Sequence, residues 1–183
     1  MVHPIVKYLN NPILERPAEP VTEFDTPELH QLIDDMFETM YAKHGVGLAA
    51  PQIDVAKRIT VIDVSGRDEG EELAEGEEED EPDQIVLINP VVIQKSGKQT
   101  GEEGCLSIPG FREPVTRAMN VVVRAQDEKG EFFEIEGEEL LARAMLHEID
   151  HLNGVLFLSH LSSLKREWIK RKIRKLQQSG EWE

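Results

Sequence analysis

The chain has 183 residues and a mass of 20.8 kDa, with 36 acidic against 20 basic side chains and a formal charge of −16. At 39% hydrophobic residues it has too many for a wholly disordered chain and enough for one domain with its own core. No apolar run approaches the ~18 residues of a spanning helix, and one cysteine, Cys105, excludes an internal disulfide and fits a reducing cytoplasm.

The opening Met1–Tyr8 has neither a basic start nor the long apolar stretch of a signal peptide, which again predicts a cytoplasmic protein. Thr26 before Pro27 is a helix start, the hydroxyl capping free amides and proline preset at the first helical position. Leu29, Leu32, Ile33, Met36, Phe37 and Met40 then recur at helical spacing up to Gly45. The following Gly45-Val46-Gly47-Leu48-Ala49-Ala50-Pro51-Gln52 reads as a helix stop turning into a strand. It offers accessible backbone amides, a wall for an extended ligand and one buried-looking amide, Gln52. It lacks the Gly-Lys-Ser/Thr ending of a phosphate loop.

β-rich runs are expected at 59–64, 85–89, 91–94, 121–125 and 132–135, the last two joined by a turn at Asp127–Gly130. Between the first two lies RDEGEELAEGEEEDEPD, residues 67–83, with eleven acids and one base, which leaves the rest of the chain at −6. Like charges this dense repel one another and predict a solvated, mobile loop without the ligand spacing of a calcium site. A second helix is predicted from Glu138 to Asn153, stopping at Gly154, and a third from Ser162 to Gln178. The pattern predicts an α+β fold, one domain over residues 1–183. Short, mainly antiparallel strands would surround a central metal-binding helix, with an N-terminal and a C-terminal helix.

The chemistry concentrates in His147-Glu148-Ile149-Asp150-His151. Residues four apart share a helix face, so the two imidazoles can hold one metal ion with Glu148 beside it as a proton carrier. Leu140, Leu141, Ala144, Met145 and Leu152 are expected to bury the other side of that helix. Polar groups bordering such a face need partners or a metal. A catalytic site wants a third protein ligand. Downstream candidates are His160, Glu167, Glu181 and Glu183; upstream, Cys105 in Glu103-Gly104-Cys105-Leu106-Ser107 is a better one, as a thiolate beside a glycine that permits close approach.

GVGLAAPQ, EGCLS and HEIDH, in this order, resemble the three signature motifs of the peptide deformylases of bacterial type. The likeness extends over nearly the whole chain apart from 67–83. The resemblance implies removal of the formyl group from the N-terminal formyl-methionine of newly made proteins, releasing formate. It implies one divalent metal ion, Fe²⁺ first and Zn²⁺, Ni²⁺ or Co²⁺ as alternatives, held by Cys105, His147 and His151 with a water at the fourth position as nucleophile. It makes Glu148 the general acid/base, and Gln52 and the backbone N–H of Leu106 the groups that hold the oxyanion. Val46 and Gly47 become the wall that pairs with the substrate backbone, and Gly104, Leu140 and Ala144 line the methionine pocket. Arg112 becomes a peptide contact and Glu103 a carboxylate behind the metal, with a surface ion pair as the alternative for both. Leu140 and Ala144 have simple core packing as theirs.

His3, His30, His44 and His160 read as surface or capping residues. The last helix carries Lys165, Arg166, Lys170, Arg171, Lys172, Arg174 and Lys175 against Glu167 alone, with Leu161, Leu164, Trp168, Ile169, Ile173 and Leu176 as its apolar stripe. A solvated face explains this, and so does attraction to phosphate. The resemblance adds docking at the ribosome near the exit tunnel as the partner, with no membrane and no DNA. One rival function is a zincin-like metallo-endopeptidase using HEIDH with a third ligand other than Cys105; the other is a non-catalytic metal-binding or ribosome-associated adaptor, against which the presence of Glu148 and Gln52 speaks.

Overall fold

The computed structural model describes residues 1–66 and 81–182. Most of the acidic stretch expected as a mobile loop therefore lies outside the described residues. Its last three, Glu81–Asp83, are exposed, and the Asp83 N–H donates to Ser65 Oγ at 3.2 Å.

Helix α1, Pro27–Ala42, starts as predicted, with Thr26 Oγ1 accepting from the Leu29 N–H at 3.1 Å. It ends before Gly45 because His44 turns the chain with φ +57°. Leu29, Ile33, Met36, Phe37 and Met40 then bury against Leu48, Ile59, Val61 and Ile88. Strand β1, Gly47–Ala49, is followed by a 3₁₀ turn, Ala50–Ile53, where the sequence suggested a direct passage into a strand.

β2 is Ile59–Ile62, and the runs expected at 85–89 and 91–94 form one strand, β3, Ile85–Ser96. The interruption at Asn89-Pro90 is a register shift within the strand. Asn89 takes φ +51°, and its side chain bonds both the N–H and the carbonyl of Val21, at 2.9 Å each. A proline without a donor fits at such an irregularity. β6, Asn120–Gln126, and β7, Phe132–Glu138, complete an antiparallel sheet in the order β1-β2-β3-β6-β7.

Two strands were not foreseen. β4, Gln99–Cys105, and β5, Ile108–Arg117, form a separate antiparallel pair. Gln-Thr-Gly-Glu-Glu-Gly-Cys has no apolar alternation, and β5 carries Pro109, Gly110 and Pro114. A two-stranded arm leaves one edge of each strand unpaired, which is where proline is tolerated.

Helix α2, Glu139–Leu152, follows β7 without a loop, its first residue at φ +53° with its N–H donating to the Met119 carbonyl at 3.0 Å. Gln99 Nε2 secures this corner by donating to the carbonyls of Ala118 and Glu139, at 3.0 and 2.7 Å. Ala142, Met145, Leu146 and Ile149 pack on Ile62, Leu87, Val121 and Val123 of the sheet. Each of the larger of these buried side chains contributes roughly 1.5–3 kcal/mol. At the far end the Leu152 carbonyl accepts from Arg58 Nη1 at 3.0 Å and from the Ala18 N–H at 2.9 Å. Leu140, expected on the buried face, is 52% exposed and lines a cavity.

Helix α3, Ser163–Ser179, is capped by Ser162 and buries Ile169 and Ile173 against Tyr8, Leu14, Phe157 and Trp182. Leu164 and Trp168 of its predicted apolar stripe stay 77% and 42% exposed. The α+β architecture expected from the sequence is the one observed, antiparallel strands around α2 with α1 and α3 outside. Among the described residues no helix is long and apolar enough to cross a membrane.

Gly154 closes α2 at φ +73°, and a Cβ there would lie 2.8 Å from the backbone carbons of Glu15 and Arg16. Neither backbone can yield cheaply. Gly154→Ala is expected to lower the unfolding free energy by about 2–3 kcal/mol, measured by urea titration.

Candidate metal centre and active site

Cys105 ends β4, and His147 and His151 stand one turn apart on α2. Their ligand atoms all lie within 4.8 Å of one another, and Cys105 Sγ is 3.3 Å from His151 Nε2. A thiolate and two imidazoles at this separation are the donor set of zinc and of ferrous and related first-row ions. His147 is further prepared for a metal because its Nδ1 is engaged at 2.9 Å by Glu103 Oε2, leaving Nε2 for coordination. Of the other candidate ligands, His160 joins Asp150 and Arg117, Glu167 faces Lys170 on α3, and Glu181 is exposed. Glu183 lies outside the described residues.

Glu103 is 4% exposed, so the surface ion pair weighed for it is excluded. Its Oε1 accepts from Arg117 Nε at 2.7 Å and from Arg143 Nη1 at 2.8 Å, and its Oε2 from Arg117 Nη2 at 3.0 Å. Arg117 Nη1 reaches on to Asp150 Oδ2 at 2.6 Å. Burial alone would raise the Glu103 pKa, but the bonds from His147 and Arg117 hold it well below the usual carboxylate range. Two carboxylates thus face two guanidinium groups, and the arm is bound to α2 by compensated charge.

Arg117, Arg143 and Asp150 belong to this cluster although no motif gave them a role. One signal was present: Arg143 sits within Leu140-Leu141-Ala142-Arg143-Ala144-Met145-Leu146, where a buried cation requires an anion. Gly101 leaves room for it, since a Cβ there would lie 3.3 Å from Arg143 Nη2.

Glu148 is 5% exposed, and Oε2 has no hydrogen-bond partner among the described residues. Burial pushes its pKa up to about 7. Gly47 faces it so closely that a Cβ would fall 2.7 Å from Glu148 Oε1. Gln52 is held with Oε1 accepting from the Ala49 N–H at 2.9 Å, and its Nε2 lies 3.5 Å from Cys105 Sγ and 3.2 Å from Ser107 Oγ.

A cavity of about 840 Å³ opens on this centre. It is lined by Val46, Gly47, Gln52, Gly104, Cys105, Leu106, Arg112, Leu140, Ala144, His147 and Glu148, every site residue predicted from the sequence except the deeper His151. Leu140 belongs to this wall and not to the core, which removes packing as its explanation. Arg112 both lines the cavity and stands 3.8 Å from Glu102 at the surface. His44, read as a surface residue, also lines the mouth.

The polypeptide deformylase family model matches residues 2–167. The chain belongs to the polypeptide deformylase family. It is 56% identical over 182 residues to a peptide deformylase of Acidobacterium capsulatum, covering 100% of this chain and 99% of that one. With a peptide deformylase of Hahella chejuensis it shares 48% identity over 166 residues, 90% of each chain. The crystal structure of a family member from Legionella pneumophila superposes with a TM-score of 0.82 at 46% identity, covering 98% of both chains. A class I type b peptide deformylase from Acinetobacter baumannii with Met-Ala-Ser bound gives 0.77 at 35% identity, over 88% of this chain and 99% of that one.

Glu103→Gln removes the charge that balances Arg117 and Arg143 and the strong acceptor of His147 Nδ1. Urea unfolding is expected to show a loss of about 3 kcal/mol. Competition with a chelator is expected to show metal binding roughly 10–100-fold weaker.

Proposed function

We propose that this chain removes the formyl group from the N-terminal formyl-methionine of nascent proteins, releasing formate and a free amino terminus. The observation that carries the reading is the Cys105, His147 and His151 cluster at the base of a cavity walled by Glu148 and Gln52, in a member of the polypeptide deformylase family. Residues 1–183 act as one catalytic domain in the cytoplasm.

Cys105, His147 and His151 would hold one divalent ion, Fe²⁺ by preference, with Zn²⁺, Ni²⁺ and Co²⁺ as substitutes. The ion supplies Lewis-acid polarisation and a nucleophile of lowered pKa. The remaining work belongs to the protein. Among the described residues β1 has a strand on one side only, and Val46, just before it, is 44% exposed. An extended peptide adds to such an edge through main-chain hydrogen bonds, which brings the formyl group to the cluster. Leu140, Ala144 and Gly104 border the space for the methionine side chain, and Arg112 at the rim meets the peptide beyond it.

Glu148 takes the proton of the attacking water on its unpartnered Oε2 and returns it to the departing nitrogen. Negative charge develops on the formyl oxygen, where Gln52 Nε2 and the backbone N–H of Leu106 donate. The absence of a Gly47 side chain is what lets the Glu148 carboxylate stand beside the edge strand. The metallo-endopeptidase reading is not favoured, because the third ligand is Cys105 on β4 and not a downstream carboxylate or histidine.

Substrates are formyl-methionyl nascent peptides met at the ribosome near the exit tunnel, through the basic α3. The support is its exposed outer surface, where Lys165 and Lys172 stand 5.0 and 5.4 Å from the ring of the half-exposed Trp168. Neither a membrane nor DNA enters this scheme.

The deciding assay is formate release from formyl-Met-Ala-Ser by anaerobically purified protein. Wild type is expected to turn over, and Glu148→Ala to fall by about 10²–10⁴ with its metal content retained. No release with iron or zinc supplied defeats the reading. Replacing the exposed Arg171, Lys172, Arg174 and Lys175 by Gln, which leaves the buried Ile169 and Ile173 in place, is expected to weaken co-sedimentation with ribosomes while activity on the short peptide stays at the wild-type level; unchanged co-sedimentation defeats the docking role.

A further inference from the structure

The assigned oxyanion donor, Gln52, is a flexible side chain whose last torsion is intrinsically broad. Its value to the reaction depends on what stops that rotation. The Ala49 N–H donates to Oε1 at 2.9 Å, which settles which end of the carboxamide is oxygen and turns Nε2 toward residues 105–107. There Nε2 meets Ser107 Oγ at 3.2 Å and Cys105 Sγ at 3.5 Å. Gln52 is 2% exposed and Ser107 fully buried, so bulk water does not substitute for either contact.

A second set of bonds fixes the two residues relative to one another. The Val6 N–H donates to the Gln52 carbonyl at 2.8 Å, and the Tyr8 N–H donates to the Ser107 carbonyl at 2.9 Å. One stretch of chain, with its donors two residues apart, thereby fastens the backbones of both. The distance between carboxamide and hydroxyl is set by main chain and does not depend on packing alone.

We propose that Ser107 is a positioning residue for catalysis, its hydroxyl holding one hydrogen of Gln52 Nε2 so that the other is aimed into the cavity beside Cys105. This rests on the reading that Gln52 donates to the formyl oxygen. The amide group has two hydrogens, and the serine takes one of them at ordinary length. The remaining hydrogen then lies in the amide plane on the sulfur side, where the contact is long and readily exchanged for an oxyanion. Without the hydroxyl, a buried N–H is left without its partner and the carboxamide is free to turn.

The test is a double-mutant cycle on formyl-Met-Ala-Ser with Ser107→Ala, Gln52→Ala and both together, recording kcat, KM, metal content and melting temperature for each. Ser107→Ala is expected to lower kcat by about tenfold, less than the ~10²–10³ for loss of the donor itself, with KM within about twofold and metal content unchanged. Since Ser107 acts through Gln52, the double variant is expected to be no slower than Gln52→Ala alone. Multiplying losses, or a Ser107→Ala loss that follows a fall in metal content, overturns the role of Ser107. A fully active Gln52→Ala overturns the reading of Gln52 and the proposal with it, while deformylation by the wild type stands. Ser107→Thr keeps the hydroxyl and is expected within about threefold of wild type. A threonine variant of normal melting temperature that is as slow as alanine also overturns the proposal.

Discussion

A carboxylate buried between two guanidinium groups joins the β4–β5 arm to α2, and the geometry of the site hangs on that joint. Glu103 holds Arg117 and Arg143 through one pair of oxygens and still accepts from His147. Two residues farther along β4, Cys105 arrives opposite His151. Among the described residues the arm pairs with no strand of the larger sheet, and its Ile108 and Val115 are buried with Tyr8, Leu14, Phe157, Ile169 and Ile173. Charge compensation adds to that packing at the contact with α2. Burying such ions costs several kcal/mol each, which the paired geometry offsets. The same bonds orient one histidine, so cohesion and reactivity share residues.

The opposite side of the site obeys a steric constraint. Glu148 is buried next to Gly47, and any larger residue would displace its carboxylate. Burial of the carboxylate raises its pKa toward neutrality. The closeness to Gly47 also places that carboxylate beside the end strand β1. The cavity between edge, arm and α2 takes its shape from three elements that are far apart in the chain.

Charge is distributed with equal consequence. The net −16 is dominated by residues 67–83, and α3 concentrates bases on a surface that the core does not use. Ile169 and Ile173 anchor that helix while its lysines and arginines face outward. Whole-chain charge would argue against contact with nucleic acid; its placement allows it.

Much of the molecule was legible along the chain. The helical period of Leu29 to Met40, the Thr26-Pro27 start and the His147/His151 spacing depend on neighbours within a few residues, and local rules read them. The three short motifs carried Cys105, His147, His151, Glu148 and Gln52, the groups that the fold gathers at one cavity. Only the tertiary structure decided the rest. It showed β4 and β5, whose glycine, proline and glutamate content hides two strands that pair with each other and are tied to α2 where Arg143 meets Glu103. It placed Leu140 in the cavity, since a helix turn is buried or open according to what lies opposite. It set Ser107 beside Gln52 through Val6 and Tyr8, a relation between segments some fifty residues apart that no periodicity expresses. Local bonding dictated which groups the chain carries, and long-range pairing of buried charge and backbone decided which of them meet.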